Sequence, residues 1–502
     1  MKRLFFLAAT VALAATAHAD VKLPAVLSEG MVLQRSAPIK LWGWADDGEQ
    51  VSVEFLGQKK TVTTSQGKWA VTLKAVRTAG GPFPLTITGK NRIEFKDILI
   101  GEVWVCSGQS NMEWSLKNSF QSDDDIAKSA NPSIRLFMVK NTRSESPKAD
   151  VEVQQLWSVA APETTTNFSA VGYYFGRMLS EKLGIPIGLI SADWGGTPAE
   201  AWTPEERILG NRALKPIADS YPEARARYDE QVKKWEAEAS QAKLDGKPAP
   251  AAPRLPWRYA ELYNAMIAPL TSFGIRGAIW YQGEANASRA TQYRELFPSM
   301  IEGWRSVWGN KDMPFYLVQL APFQASGSDK TEYAELREAQ ALATQRLKNV
   351  GMAVITDVGE EKDIHPKKKQ PVGERLALLA RRDLYREKSL VAQGPSFKSA
   401  RFEAAQAIVS FDNTGGGLVA APTDSLGNAV VGGKLVGFTL AGDDGKFYPA
   451  DAVIDGGDKV IVTSSQVPAP KAVRYAFVNF PLTNLWNKEG LPAGPFRSDI
   501  PK

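Results

Sequence analysis

Residues 97–114, DILIGEVWVCSGQSNMEW, constrain this chain more than any other stretch. From Ile98 to Cys106 the side chains are apolar, interrupted only by Gly101 and Glu102. A run of that length is too short to span a membrane and predicts a buried strand. The small polar run Ser107-Gly108-Gln109-Ser110-Asn111 then breaks it. Met112, Trp114 and Leu116 predict a helix or an irregular packed segment beyond. Ser110 therefore falls at the carboxyl end of a buried strand, where open α/β sheets bind ligands. There its hydroxyl and its own amide can face one spot, which suits a nucleophile whose amide stabilises an oxyanion. The plainer reading makes Ser110 a cap for the next segment.

Around this stretch the hydrophobic period changes twice. Residues 20–97 carry short alternating runs (IKLWGWA, QVSVEFLG, KWAVTLKA, FPLTITGK) separated by turn residues, which predicts a small antiparallel β-sandwich. From 98 to 394, apolar runs at 98–106, 134–139, 185–191, 275–281, 314–320 and 350–356 alternate with helical periodicity. One helix follows Ser169 and ends at Gly184 and Pro186; others are expected near 289–306, 331–347 and 371–384. Such alternation predicts a parallel sheet covered on both faces. Residues 205–256, charged and then rich in Ala and Pro, read as an exposed helix and a flexible return inserted into that domain. From 395 to 502 short alternating runs return as a second antiparallel β segment.

Residues 1–19 have the form of a secretory signal peptide: Lys2 and Arg3, an apolar core, then Ala17-His18-Ala19. Export to the periplasm or beyond is the expectation. Losing Lys2 and Arg3 takes the count of basic against acidic residues from 60 versus 55 to 58 versus 55, a net of +3. So balanced a charge argues against nucleic acid or membrane as partners. Cys106 is the only cysteine, so the chain has no internal disulfide, and at this length its core needs none. Of the two histidines, His18 lies in the signal segment, which leaves His365 alone in the mature chain. That excludes a multi-histidine zinc site; no metal and no cofactor are expected. An imidazole base, if one is used, must be His365.

Three further loops follow strand ends. Asp193-Trp194-Gly195-Gly196 offers paired glycines for close backbone approach and free amides. Gln282-Gly283-Glu284-Ala285-Asn286 offers neutral amide donors, with Glu284 placed to hold the loop or touch substrate. Gly195, Gly196, Gln282, Asn286, Gln109 and Glu284 thus form the expected oxyanion and substrate-binding set. The last loop, DVGEEKDIHP from Asp357 to Pro366, sets four carboxylates beside His365. One of them can orient the imidazole while its other nitrogen deprotonates Ser110. Each loop alone also reads as an ordinary turn or buried network; four at one sheet edge read as a hydrolase site.

GQSNMEW, SADWGGTPAEAW, WYQGEAN and DIHP resemble the blocks of the SGNH hydrolase superfamily, and within it the sialate O-acetylesterase family. LYNAMIAPL (262–270) and NLWNKEGLPAGPFRSD (484–499) resemble that family too. The resemblance implies a flavodoxin-like α/β hydrolase domain with flanking antiparallel β-sandwich segments. It also implies removal of O-acetyl groups from sialic acids by Ser110. Two positions depart from the pattern. Lys362 stands three residues before His365, where the superfamily carries its aspartate, so Asp363 becomes the candidate, with Glu360, Glu361 or a bare dyad as alternatives. Ala285 stands where the oxyanion asparagine is expected, leaving Gln282 or Asn286 to donate.

Three rivals keep their place at this level. An esterase for acetylated plant polysaccharide such as xylan would use the same residues. A glycosidase would pair Glu113 with Glu284. A non-catalytic carbohydrate-binding protein would exploit some of the 14 tryptophans, most of which a chain this size needs for its core.

Overall fold

The computed structural model describes residues 20–499; the expected signal peptide lies outside them. Its centre is a mostly parallel sheet. The strands are β1 (Arg92–Gly108), β2 (Asn131–Val139), β3 (Val153–Ala160), β4 (Ile187–Asp193), β5 (Gly277–Tyr281), β6 (Phe315–Val318) and β7 (Val350–Ala353). They lie in the order β7-β6-β5-β1-β4-β2-β3. All neighbours pair in parallel except β3, which closes the edge antiparallel to β2. With β2 and β3 set aside, β4-β1-β5-β6-β7 run 2-1-3-4-5, the flavodoxin-like doubly wound order, whose switch point lies beside its first strand. That strand here is β1.

β1 explains how the two halves join. Its first six residues alternate between exposed and half-buried, and from Ile98 to Gly108 every residue is buried. Over Arg92–Ile100 it pairs antiparallel with Gly80–Thr88 of the amino-terminal region. Over Glu102–Gly108 it pairs in parallel with β4 and β5. The boundary expected at 97/98 therefore falls inside one continuous strand, at the point where its burial changes. Glu102, the one charge in the apolar run, is 1% exposed and is held by Gln34 Nε2 at 3.0 Å and Arg35 Nε at 2.5 Å. A buried carboxylate needs such partners.

Helices cover both faces, as the β–α alternation predicts. On one side lie α1 (Ala170–Leu183) and α5 (Gln370–Leu384), packed with Trp104, Cys106, Leu189 and Ile279. On the other lie α3 (Ala290–Val307) and α4 (Glu332–Arg346), packed with Val103, Val105, Ala278 and Trp280. Alternate residues of β1 and β5 thus feed opposite cores, the period-2 signature of a strand buried on both faces. Ser169 caps α1 by accepting the Gly172 amide at 3.1 Å, and Gly184 ends it at φ +64°.

The inserted helix, α2 (Lys215–Leu244), carries i,i+4 ion pairs such as Arg225–Asp229 and Lys215–Asp219. Its half-buried stripe Tyr221, Ala224, Tyr228, Val232, Trp235 and Ala239 recurs every three or four residues. The Ala/Pro-rich return runs back beside it, and Trp235 Nε1 donates to Pro250 O at 2.8 Å. Two antiparallel four-stranded sheets built from Ser396 onward share a separate core of Val409, Phe411, Leu440, Val460, Tyr475 and Phe496. No helix among the described residues is long and apolar enough to cross a membrane.

Candidate active site

The site forms where β1, β4, β5 and β7 end. Gly108 closes β1 at φ +142°, against the carbonyl of Tyr281 on β5. The Gln109 amide donates to that carbonyl at 3.0 Å, and the Trp194 amide donates to Gly108 O at 3.1 Å. Three loops are thereby fixed to one another before any side chain is considered. Ser110 opens a single helical turn, Ser110–Glu113, whose cap is Gln109 rather than the serine.

Ser110 Oγ lies 2.8 Å from Nε2 of His365, 255 residues along the chain. The imidazole stacks on Trp114, with ring centres 5.1 Å apart and planes 16° apart. Burial and the nearby Lys369 ammonium hold its pKa below the usual value; Asp363 opposes them. Asp363 Oδ1 lies 3.8 Å from His365 Nδ1, beyond hydrogen-bond range, and instead accepts the His365 backbone amide at 2.9 Å. The other carboxylates of the loop are engaged elsewhere. Asp357 takes a two-pronged bond from Arg375, Glu360 accepts the Lys367 amide, and Glu361 accepts the Ser328 hydroxyl. Asp363 is thus the carboxylate at the imidazole, shaping its loop more than its tautomer. Asp363→Asn should cost roughly ten- to a hundredfold in kcat, far less than the loss of about four orders of magnitude where the aspartate bonds the ring. A larger loss in kinetic assays would mean that the contact closes during turnover.

The expected oxyanion donors divide. Gln282 is fully buried; its Nε2 donates to Thr197 O (3.2 Å) and Asn286 Oδ1 (2.6 Å), and its Oε1 accepts from Tyr293 (3.0 Å). Asn286 donates to Glu200 (2.9 Å) and accepts the Ala199 amide (2.9 Å). Both amides brace the third loop against the glycine loop; Gln282 has both hydrogens in use, which corrects the expectation for it, while Asn286 Nδ2 spends one of its two on Glu200. Gly195 is also engaged: its amide donates to Glu113 Oε2 at 2.6 Å, while Asn141 holds the other carboxylate oxygen at 2.9 Å. What Gly195 supplies is room, because a Cβ there would lie 3.2 Å from Cβ of Ser110. Gln109 Oε1 accepts the Gly283 and Ala285 amides, both at 3.3 Å, which fixes its orientation. Gln109 Nε2 and the amides of Ser110 and Gly196 donate to no protein group among the described residues.

Glu284 is held on one side: its Oε1 accepts from Asn111 Nδ2 at 2.5 Å, its Oε2 is buried with no hydrogen-bond partner among the described residues, and burial raises its pKa. With Glu113 holding Gly195, the carboxylate pair of the glycosidase reading is committed to scaffolding. Trp114, Asn111 and Lys369 were not among the expected site residues, although Asn111 and Trp114 stand in the same marked stretch. Among the described residues no group of three or more His, Cys, Asp or Glu is placed to hold a metal ion.

Comparison with known proteins agrees with this geometry. The family model described as carbohydrate esterase, sialic acid-specific acetylesterase, matches residues 100–246 and 250–380. The sialate O-acetylesterase of Rattus norvegicus is 34% identical over 411 residues, covering 73% of this chain and 74% of that one. The Homo sapiens protein of the same name is 32% identical over 410 residues, covering 74% and 72%. The crystal structure of a carbohydrate acetylesterase from Xanthomonas citri is 38% identical, with a TM-score of 0.81 over 96% of this chain and all of that one. Fold and relatives together define a carboxylic ester hydrolase of the carbohydrate esterase class. Within that class the chain belongs to the sialic acid-specific acetylesterase family.

Proposed function

We propose that this esterase, of the SGNH type, removes O-acetyl groups from sialic acids through an acetyl-enzyme on Ser110. The observation that carries the mechanism is the 2.8 Å contact between Ser110 Oγ and His365 Nε2 at the switch point of the sheet. His365 takes the hydroxyl proton as Oγ attacks the acetyl carbonyl carbon. The negative charge that gathers on the carbonyl oxygen meets the Ser110 and Gly196 amides and Gln109 Nε2. The carbon–oxygen bond to the sugar then breaks, and His365 returns the proton to the departing sugar hydroxyl. Water, deprotonated by His365, attacks the acetyl-serine; acetate leaves and Ser110 recovers its proton. Because His365 is the only histidine after residue 19 and its pKa is lowered, kcat/KM should rise through one acid-side inflection below about 6.5. An inflection above 7 in a pH–rate profile would contradict that.

The rim favours a sugar. Trp194 and Trp257 are half-buried and perpendicular, with ring centres 5.1 Å apart. Trp257 Nε1 donates to Gly196 O at 3.0 Å, so the return from α2 ends beside the site. Trp257→Ala should raise KM for an acetylated sugar roughly tenfold and leave KM for a small aryl acetate nearly unchanged. Equal changes on both substrates would remove the tryptophan from sugar binding.

One observation favours a neutral acetylated polysaccharide as the second reading. The arginines at this rim are engaged, Arg143 with Glu261 at 2.7 Å and Arg258 with Glu205 at 2.9 Å, so neither stands free for a sialic acid carboxylate. Acetate release from 9-O-acetylated sialic acid and from acetylated xylan, measured side by side, separates the two. A preference above about tenfold for the sialate supports the first reading; the reverse preference supports the second. Residues 1–19 are assigned as the signal for export, to the periplasm or beyond it. We read the chain after them as three regions, 20–97, 98–394 and 395–502, with β1 running across the first boundary.

A further inference from the structure

We propose that Lys369, Asn111 and Glu284 form one positioning unit that clamps the serine loop to the histidine loop and keeps His365 in its proton-accepting form. This rests on Ser110 and His365 being the reacting pair. Lys369 is 1% exposed, and its Nζ donates to Asn111 Oδ1. Asn111 is fully buried; its Nδ2 donates to Glu284 Oε1 at 2.5 Å and to Ile364 O at 3.0 Å. Every polar atom of the Asn111 side chain is thereby used. A cation at one end and a carboxylate at the other leave the amide a single orientation. Asn111 follows Ser110 in the chain and Ile364 precedes His365, so this one amide joins the two backbones that carry the pair. A misplacement of about 1 Å between reacting groups can cost a hundredfold.

The lysine also acts as a charge. Its Nζ lies 5.7 Å from the centre of the Trp114 ring that stacks on His365, and 5.4 Å from that of Tyr281. An ammonium there disfavours a second cation on the imidazole. The charged groups facing Lys369 are Glu284 from the loop after β5, and Glu360 and Asp363 from the loop before α5. They favour its charge, while burial works against it and brings its pKa down to about 7. A lysine serving only as a brace has no need of a place beside the base. Here ammonium, indole and imidazole are neighbours.

The test compares Lys369→Met, Lys369→Arg and Glu284→Gln in the full-length protein, using an aryl acetate across pH 4.5–9. Lys369→Met should lower kcat by roughly ten- to a hundredfold. It should also move the acid inflection of kcat/KM up by roughly 0.5–1 pH unit, because the charge opposing His365 protonation is gone. Lys369→Arg keeps the charge and should leave the inflection near its original place. If the Met variant does not fold, Glu284→Gln decides: it removes the carboxylate that most favours the Lys369 charge, so the inflection should leave its wild-type place. A loss of rate with an unmoved inflection in both Lys369→Met and Glu284→Gln would reduce the unit to a structural brace and overturn the proposal. Labelling by a fluorophosphonate keeps this separate from the mechanism: a label on Ser110 with unmoved inflections defeats only the positioning unit, whereas no label on Ser110 defeats the mechanism beneath it.

Discussion

Ser110→Ala is expected to lower acetyl ester hydrolysis by about four orders of magnitude or more, and His365→Ala by a similar factor, with little change in fold. Ser110 Oγ has His365 Nε2 as its hydrogen-bond partner, so alanine deletes the nucleophile without stranding a buried polar atom. The turn that carries it is held by the backbone bonds of Gln109 and by Asn111, and both survive the change. His365→Ala leaves the Trp114 face bare and removes the only imidazole after residue 19, so no second histidine can substitute. The double variant should be hardly worse than either single one, because groups that act as a unit are not additive. Initial rates with an aryl acetate, together with circular dichroism to establish folding, check all three. Single variants that stay folded and keep rates within tenfold of wild type would remove these residues from the chemistry.

Much of this site was legible in the sequence because buried parallel strands are apolar throughout and end in polar loops. Ile98–Cys106, the runs ending near Ser191 and Tyr281, and Val350 each lie on or within a few residues of the strand the structure places there. The less legible parts have physical causes. Arg92–Asp97 alternates because it is half-exposed, so it reads with the preceding strands although β1 continues through it. β3 went unread because an edge strand with alternating polar residues, VQQLWSVA, carries little apolar signal. Lys369 closes a Lys367-Lys368-Lys369 run, which by composition is a solvated basic face, and yet it is 1% exposed beside the base. Gln282 and Asn286 have the right chemistry for an oxyanion, but side-chain type does not say where a hydrogen points. Gln282 spends both hydrogens, and Asn286 one of its two, on holding two loops together. The direction of an amide is a tertiary property, fixed by residues some 85 positions away.

Gly108→Ala should be the most damaging single methyl in the chain's active region, costing roughly 3–5 kcal/mol of stability and nearly all activity. A Cβ at Gly108 would lie 2.1 Å from the Tyr281 carbonyl oxygen and 2.7 Å from its carbon, inside the backbone of the neighbouring central strand. No side-chain rotation relieves a collision with backbone. Gly108 also stands at φ +142°, which only glycine adopts readily, so the strain persists even if β5 moves. Moving β5 would break the bond from the Gln109 amide to Tyr281 O, and with it the seat of Ser110. Gly196→Ala is the matched control. Gly196 also has positive φ, +73°, but a Cβ there meets nothing within 4 Å, so it should cost only about 1–2 kcal/mol of backbone strain. Urea unfolding of both variants measures the difference. If Gly108→Ala were as stable as Gly196→Ala, the close approach of β1 to β5 at the serine would be wrong. If it were destabilised yet fully active, the approach would stand, but Ser110 would not depend on it for its position. The expected result, loss of both, follows from one fact of construction: the backbone that ends the central strand is the backbone that aims the nucleophile.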